Sequence, residues 1–119
     1  MARILLAEDD DQMRAFLTRG LRRAGHGVDA FGDGETALER AHISDYDLLL
    51  ADVVMPGIDG VELARRVTVR QPGIRVMFIT GFAAVALHDD AWPQQRPRVL
   101  AKPFHLRHLI SEVEALLAQ

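Results

Sequence analysis

The chain of 119 residues has no cysteine, and it has only one lysine, one tryptophan and one tyrosine. The lack of cysteine excludes disulfide bonds and thiolate metal sites, and it suits a reducing compartment. The apolar run at residues 4–7 is followed at once by acidic residues, so neither a signal peptide nor a membrane span fits there. We therefore expect a cytoplasmic protein without membrane insertion.

The composition is that of an ordinary globular domain. Hydrophobic residues make up 49% of the chain and charged residues 26%, and a chain of this length can bury a core within a single domain. The formal net charge of −3 disfavours nucleic acid as a partner. These values predict one domain but do not identify its activity.

Short apolar runs alternate with amphipathic stretches along the sequence. The runs predict strands at residues 3–7, 28–31, 47–51, 75–79 and 98–101. Apolar residues at helical spacing predict helices at residues 13–24, 34–41, 60–71 and 106–117, and a short helix is expected at 83–90. Strands that alternate with helices form a parallel sheet with helices on both faces. The fold class is therefore α/β, a doubly wound five-stranded parallel sheet.

Polar residues follow four of the predicted strands, at the edge of the sheet where doubly wound folds bind their ligands. Residues Glu8 to Asp11 follow the first strand, Asp52 the third, Thr80 the fourth, and Lys102, the only lysine, the fifth. Converging carboxylates repel one another and require a cation, and few oxygen ligands with open water positions suit Mg²⁺. Lys102 supplies a second positive charge, which can pair with a single oxygen atom.

The carboxylate of Asp52 is a candidate nucleophile toward a phosphoryl group, with which it would form an aspartyl phosphate. Mg²⁺ and Lys102 would neutralise the charge of the transferred group, and Thr80 would hydrogen-bond a phosphoryl oxygen. Each residue alone also has a structural interpretation, because an Asp after a strand often caps a helix, as we expect for Asp10 or Asp11. Their joint position at the strand ends favours the chemical interpretation.

The motifs "ILLAEDD", "DLLLADVVMPGIDG", "FITG" and "LAKPF" occur in this order along the chain. Through them the whole sequence resembles the receiver domain of two-component response regulators. The resemblance implies a flavodoxin-like strand order of 2-1-3-4-5 and a single receiver domain over residues 1–119 with no output domain. It also implies a cis peptide bond before Pro103.

The resemblance further assigns a role to each residue at the strand ends. Asp52 becomes the phosphoacceptor, Thr80 the hydroxyl that moves toward the phosphoryl group, and Lys102 the neutralising ammonium. The implied metal site holds Mg²⁺ with the acidic pair Glu8 and Asp9, of which Asp9 is the direct ligand, together with Asp52 and the backbone carbonyl of Val54.

Two departures from the receiver pattern concern the lifetime and the readout of the phosphoryl group. Val99 stands where many receivers carry a Tyr or Phe that moves with the switch threonine, and Phe82 and Phe104 are the candidates to replace it. The residues two positions after the phosphoacceptor and the threonine, Val54 and Phe82, are apolar, which in receivers hinders the attacking water and predicts a long-lived phosphoryl group. We expect partners to bind the face around the fifth strand, through Phe82, Val85, Trp92, Val99 and His105.

The resemblance also implies partners. A histidine kinase or a histidine phosphotransferase would supply the phosphoryl group. The stretches "EDDDQMR", "FITGFAAVAL" and "KPFHLR" resemble those of single-domain receivers of alphaproteobacteria that deliver substrates to the ClpXP protease, some of them at the cell pole. In that group the unphosphorylated form is active, and the partners would be ClpX and the substrates of the protease.

Other functions remain open on the sequence alone. A receiver of this kind could instead shuttle phosphate, or bind a kinase or a motility protein. A phosphatase of the haloacid dehalogenase class also uses an Asp nucleophile with Mg²⁺, but it needs a second Asp two residues later, where this chain has Val54. A receiver-like protein that binds partners without phosphorylation is disfavoured by the full set of Asp9, Asp52, Thr80 and Lys102.

Overall fold

The computed structural model describes residues 1–81 and 97–119. Within these ranges five strands and four helices alternate along the chain. The strands are β1 (Arg3–Ala7), β2 (Gly27–Phe31), β3 (Leu48–Asp52), β4 (Arg75–Thr80) and β5 (Arg98–Ala101). The helices are α1 (Asp11–Arg23), α2 (Gly34–Ala41), α3 (Gly60–Arg70) and α4 (Leu106–Leu117). The helix expected at 83–90 lies outside the described residues.

The five strands form one sheet in the order β2-β1-β3-β4-β5, and every neighbouring pair is parallel. The predicted α/β class and strand order are confirmed. Because β1 and β3 lie side by side in the middle of the sheet, the chain segments that leave their carboxyl ends start next to each other. This neighbourhood brings the acidic residues of the first and third strands together.

The core consists of two layers, one on each face of the sheet. Alternate residues of a strand point to opposite faces, so Leu5 and Leu49 contribute to the layer beneath α2 and α3. Ile4 and Leu50 contribute to the layer beneath α1 and α4. Because β1 and β3 are covered on both faces, they are continuous apolar runs rather than alternating ones.

Aspartates begin the first three helices. Asp10 caps α1 by accepting hydrogen bonds from the backbone N–H groups of Gln12 and Met13, which confirms its predicted capping role. Asp33 and Asp59 cap α2 and α3 in the same way. Each of these helices therefore starts at a fixed residue directly after the loop that leaves a strand. Among the described residues, no helix has the length and apolarity needed to cross a membrane.

Candidate functional site

Three carboxylates meet at the carboxyl ends of β1 and β3. One oxygen each from Glu8, Asp9 and Asp52 lies within 4.8 Å of the others. Glu8 and Asp52 are buried and Asp9 is exposed to solvent. The predicted convergence of the acids that follow the first and third strands is therefore present in the fold.

Lys102 bridges the two buried carboxylates. Its Nζ lies 2.8 Å from Asp52 Oδ2 and 3.1 Å from Glu8 Oε1. Its backbone N–H donates to the carbonyl of Thr80 at 2.7 Å, which fixes the start of the segment after β5. The Lys102–Pro103 peptide bond is cis, as the resemblance implied.

Thr80 and Val54 complete the group of predicted residues at this edge of the sheet. Thr80 is fully buried at the end of β4, the strand that lies between β3 and β5. The backbone N–H of Val54 donates to Asp52 Oδ1 at 3.1 Å, and Val54 as a whole residue is 55% exposed. The hydrogen bond holds the Val54 peptide beside the carboxylate, while the residue itself is exposed to solvent.

The residues predicted to bind partners are only partly within the described chain. Val99 is 40% exposed on β5, and His105 is an exposed N-cap of α4 whose side chain makes no capping hydrogen bond. Phe82, Val85 and Trp92 lie outside the described residues. Val99 and His105 therefore occupy accessible positions, each three residues from Lys102 along the chain, and their role stays a prediction.

The pKa values of Glu8 and Lys102 are both raised, but burial has opposite effects on the two groups. Burial raises the pKa of Glu8 to about 7, with a further rise from the charge of Asp52, and these effects outweigh the hydrogen bonds that Glu8 accepts from Asp10 N–H and Lys102. Burial alone lowers the pKa of Lys102, but its hydrogen bonds to Asp52 and Glu8 outweigh that effect and raise the pKa above the usual lysine value. Lys102 is therefore a cation, while Glu8 takes up a proton readily.

The donor set fits Mg²⁺. Receiver domains bind this ion in an acidic pocket. Here the ligands would be carboxylate oxygens, which are the hard donors that Mg²⁺ prefers, and the exposed position of Asp9 leaves room for water molecules on the ion. Two buried acids with one ammonium also carry an excess of negative charge that a divalent cation would balance.

The raised pKa of Glu8 predicts that the metal-free protein loses stability as the pH rises from about 4.5 to about 7. The folded protein holds the Glu8 proton more tightly than the unfolded chain does. The stabilisation that this proton gives is therefore complete below pH 4.5, the usual pKa of the group, and it is lost as the pH rises through about 7, the pKa of Glu8 in the folded protein. The shifted pKa values of Asp33, Lys102 and Tyr46 act outside this window.

Urea unfolding without divalent ions, repeated across this pH range, measures the effect. The Glu8→Gln variant should show a flatter dependence of the free energy of unfolding on pH. An unchanged slope in that variant would contradict the assignment of the proton to Glu8. Because Mg²⁺ binds the ionised carboxylate, its affinity should rise with pH over the same window.

Two residues that support the site were not predicted from the sequence. Arg14 donates to the carbonyl of Glu8 at 2.9 Å and pairs with Asp11 at 2.6 Å. Glu35, in the first turn of α2, accepts a hydrogen bond from the backbone N–H of Ile58, in the loop after β3. Helical spacing of Asp11 and Arg14 is a signal for the first pair, whereas nothing in the sequence relates Glu35 to a loop 23 residues later.

Comparisons with known proteins agree with this geometry. The family model described as the response regulator receiver domain matches residues 4–114. The response regulator receiver protein CpdR of Brucella abortus is 53% identical over 117 residues, which cover 98% of each chain. The receiver domain of the hybrid histidine kinase CckA superposes with a TM-score of 0.81 at 35% identity, covering 97% of this chain and 98% of that one. The Thermotoga maritima response regulator TrrA, solved in complex with Mg²⁺ and BeF, has a TM-score of 0.85 at 28% identity. The match covers 98% of this chain and 99% of the TrrA chain.

Proposed function

Because this chain belongs to the response regulator receiver domain family, whose members are regulatory phosphoacceptors, we propose that Asp52 accepts a phosphoryl group from a histidine kinase or a histidine phosphotransferase. The observation that carries the proposal is the ion pair of Asp52 with Lys102, 2.8 Å apart, beside the carboxylates of Glu8 and Asp9. It is the arrangement expected of a nucleophilic carboxylate whose product gains negative charge.

The proposed step transfers the phosphoryl group from a phosphohistidine to the carboxylate. An oxygen of Asp52 attacks the phosphorus atom, and the new O–P bond forms as the P–N bond of the donor breaks. The leaving imidazole nitrogen keeps the electron pair of that bond and takes a proton from water. The transfer changes no oxidation state, and the only groups that form or break a bond to phosphorus are the donor histidine and Asp52.

The residues around Asp52 have separate roles in this proposal. Glu8, Asp9, Asp52 and the Val54 carbonyl would hold Mg²⁺, which would supply positive charge to the phosphoryl oxygens. Lys102 stays at the site as a fixed ammonium and pairs with the phosphorylated side chain. Thr80 is buried at the end of β4, which lies between β3 and β5 in the sheet, and it donates its hydroxyl hydrogen to a phosphoryl oxygen.

Phosphorylation of the intact protein tests the proposal. Incubation with acetyl phosphate and Mg²⁺ should add one phosphoryl group, which mass spectrometry of peptides places on Asp52, and EDTA should prevent the labelling. The Asp52→Asn variant should stay unlabelled. Asp45→Asn, which removes an exposed acid before β3, is the matched control and should label as the wild type does. Equal labelling of Asp52→Asn and wild type would overturn the assignment.

For the output, we propose that residues 1–119 act as one receiver domain and as a phosphorylation-controlled adaptor for the ClpXP protease. The support is the likeness to CpdR, which this chain matches over 98% of its length. Val99 and His105 are accessible to solvent, and they would contact ClpX or a delivered substrate together with Phe82, Val85 and Trp92. In this proposal the unphosphorylated form binds ClpX.

A pull-down with ClpX distinguishes the adaptor from other outputs. Wild type and Asp52→Ala should both be retained by ClpX, and wild type treated with acetyl phosphate and Mg²⁺ should be released. If no form binds ClpX, the adaptor proposal fails and the phosphoacceptor proposal stands. A shuttle for phosphate is the second candidate output, favoured by the likeness to the CckA receiver, and it would appear as transfer of the label from Asp52 to a histidine phosphotransferase.

The exposed apolar side chain of Val54 predicts slow loss of the phosphoryl group to water. Val54 is exposed two residues after Asp52, and its apolar side chain offers no hydrogen bond to an attacking water molecule. Val54→Asn should therefore shorten the lifetime of the labelled protein, and the double variant with Phe82→Glu should shorten it further. Val69→Asn, on the exposed face of α3, is the control and should leave the lifetime unchanged. Loss of label at the wild-type rate in the double variant would contradict the prediction.

A further inference from the structure

The loop between β3 and α3 carries the backbone that surrounds Asp52, and it is held to the sheet at both ends. At its start, Val53 N–H donates to the carbonyl of Ile79 on β4 at 3.1 Å. At its end, Gly60 N–H donates back to the carbonyl of Val53 at 3.0 Å. Between these points run residues 54–59, in which Val54 N–H donates to Asp52 Oδ1 and the side chain of Met55 is buried in the core, so the remaining question is what holds the far part of the loop before Gly60.

The first turn of α2 contacts the middle of this loop. A carboxylate oxygen of Glu35 accepts a hydrogen bond from Ile58 N–H at 3.0 Å. The neighbouring Gly57 has a φ of +75°, and a Cβ added there would lie 2.5 Å from the same carboxylate oxygen. Glycine therefore allows the loop to pass directly against the Glu35 carboxylate.

Ile58 makes a second contact with the same helix. A Cβ added to Gly34 would lie 2.5 Å from Ile58 Cγ1 and 3.0 Å from the Ile58 carbonyl oxygen, so Ile58 packs against the bare backbone at the start of α2. The apolar contact places Ile58, and the hydrogen bond to Glu35 orients its peptide. A helix that contributes no residue to the acidic site thus fixes the loop that follows Asp52.

We infer that Glu35 is a positioning residue, which through the Ile58 peptide holds the β3–α3 loop in the conformation that binds Mg²⁺ and accepts phosphate. The inference rests on the proposed function of Asp52. Glu35 acts through its acceptor oxygen rather than its charge, because the Ile58 N–H needs a hydrogen-bond acceptor and not an anion. Partners that orient a metal ligand from outside the coordination shell typically change metal affinity by about 10-fold or more when they are removed.

The test compares Glu35→Ala, Glu35→Gln and Glu39→Ala with wild type in the full chain. Glu39 is an exposed acid one turn further along α2, so its removal controls for loss of charge on the helix. Mg²⁺ affinity is measured by titration calorimetry. Amide exchange at Ile58, measured by NMR without metal, reports the hydrogen bond itself.

Glu35→Ala should weaken Mg²⁺ binding about 5- to 10-fold and speed exchange of the Ile58 amide, since that N–H loses its acceptor. Glu35→Gln keeps an acceptor oxygen and should stay within about 2-fold of wild type in both measurements. The inference is overturned if Glu35→Ala binds Mg²⁺ like wild type, or if Glu35→Gln is as weak as Glu35→Ala, because charge would then explain the effect. Failure of wild type itself to bind Mg²⁺ would instead count against the proposed metal site, and Ile58 exchange would still test the hydrogen bond.

Discussion

The Gly60→Ala variant should have a free energy of unfolding about 3 kcal/mol lower than wild type. A Cβ added at this buried position would lie 2.1 Å from the carbonyl oxygen of Asp52 and 2.8 Å from its carbonyl carbon. Alanine favours helices over glycine by about 1 kcal/mol, but that gain is smaller than the cost of forcing two backbone segments apart. The clash therefore decides the sign of the effect.

Urea unfolding of Gly60→Ala and Gly73→Ala measures this cost. Gly73 has no atom within 4 Å of its added Cβ, so its variant should change stability by less than about 1 kcal/mol. Because the contact is with Asp52 itself, Gly60→Ala should also label poorly with acetyl phosphate even under conditions where it is folded. A Gly60→Ala protein as stable as the Gly73→Ala control would show that the loop can move away without cost.

The Lys102→Met variant should lose about 3 kcal/mol of stability at pH 8 without divalent ions. Its Nζ is the cation that contacts both buried carboxylates, and methionine fills similar volume without the charge. Two acids would then share a buried site with no counter-charge, and the fold would have to take up a proton or admit a cation. At pH 5 the loss should be smaller, because Glu8 is then protonated in the folded protein.

Mg²⁺ should restore much of the stability of Lys102→Met, since a bound divalent cation replaces the missing charge. Arg98→Met is the matched control, because Arg98 begins β5, the strand that Lys102 follows, and pairs with Glu112 at 3.2 Å with a similarly exposed side chain. That pair has no fully buried partner, so its loss should cost less than about 1 kcal/mol. Equal losses in the two variants, or no effect of Mg²⁺ on Lys102→Met, would contradict the assignment of Lys102 as the counter-charge.

Most of the fold could be predicted from the apolar runs, because buried parallel strands leave a direct pattern in the sequence. The predicted strand at residues 47–51 is shifted by one position, since β3 runs from Leu48 to Asp52. Asp52 extends the strand because it still pairs with Ile79 of β4, although its side chain belongs to the site. Periodicity reports which side chains are apolar, whereas the end of a strand depends on pairing with its neighbour.

The site could be predicted as a set of residues but not as a set of contacts. Glu8, Asp52, Thr80 and Lys102 follow from the rule that the ends of parallel strands meet at one edge. The sequence could not show that Lys102 bonds both Glu8 and Asp52, or that Asp9 is exposed while Glu8 is buried. These details depend on packing between segments that are far apart in the chain, and the same is true of the contact between Glu35 and Ile58.

The single lysine of this chain has a practical consequence for chemical labelling. A reagent that acylates side-chain amines has one target, Lys102, and it reacts only with the uncharged amine. The pairing with Asp52 and Glu8 that raises the pKa of Lys102 also keeps it protonated and therefore slow to react. Its acylation rate thus reports, at one atom of the molecule, whether the ammonium is still paired with those carboxylates.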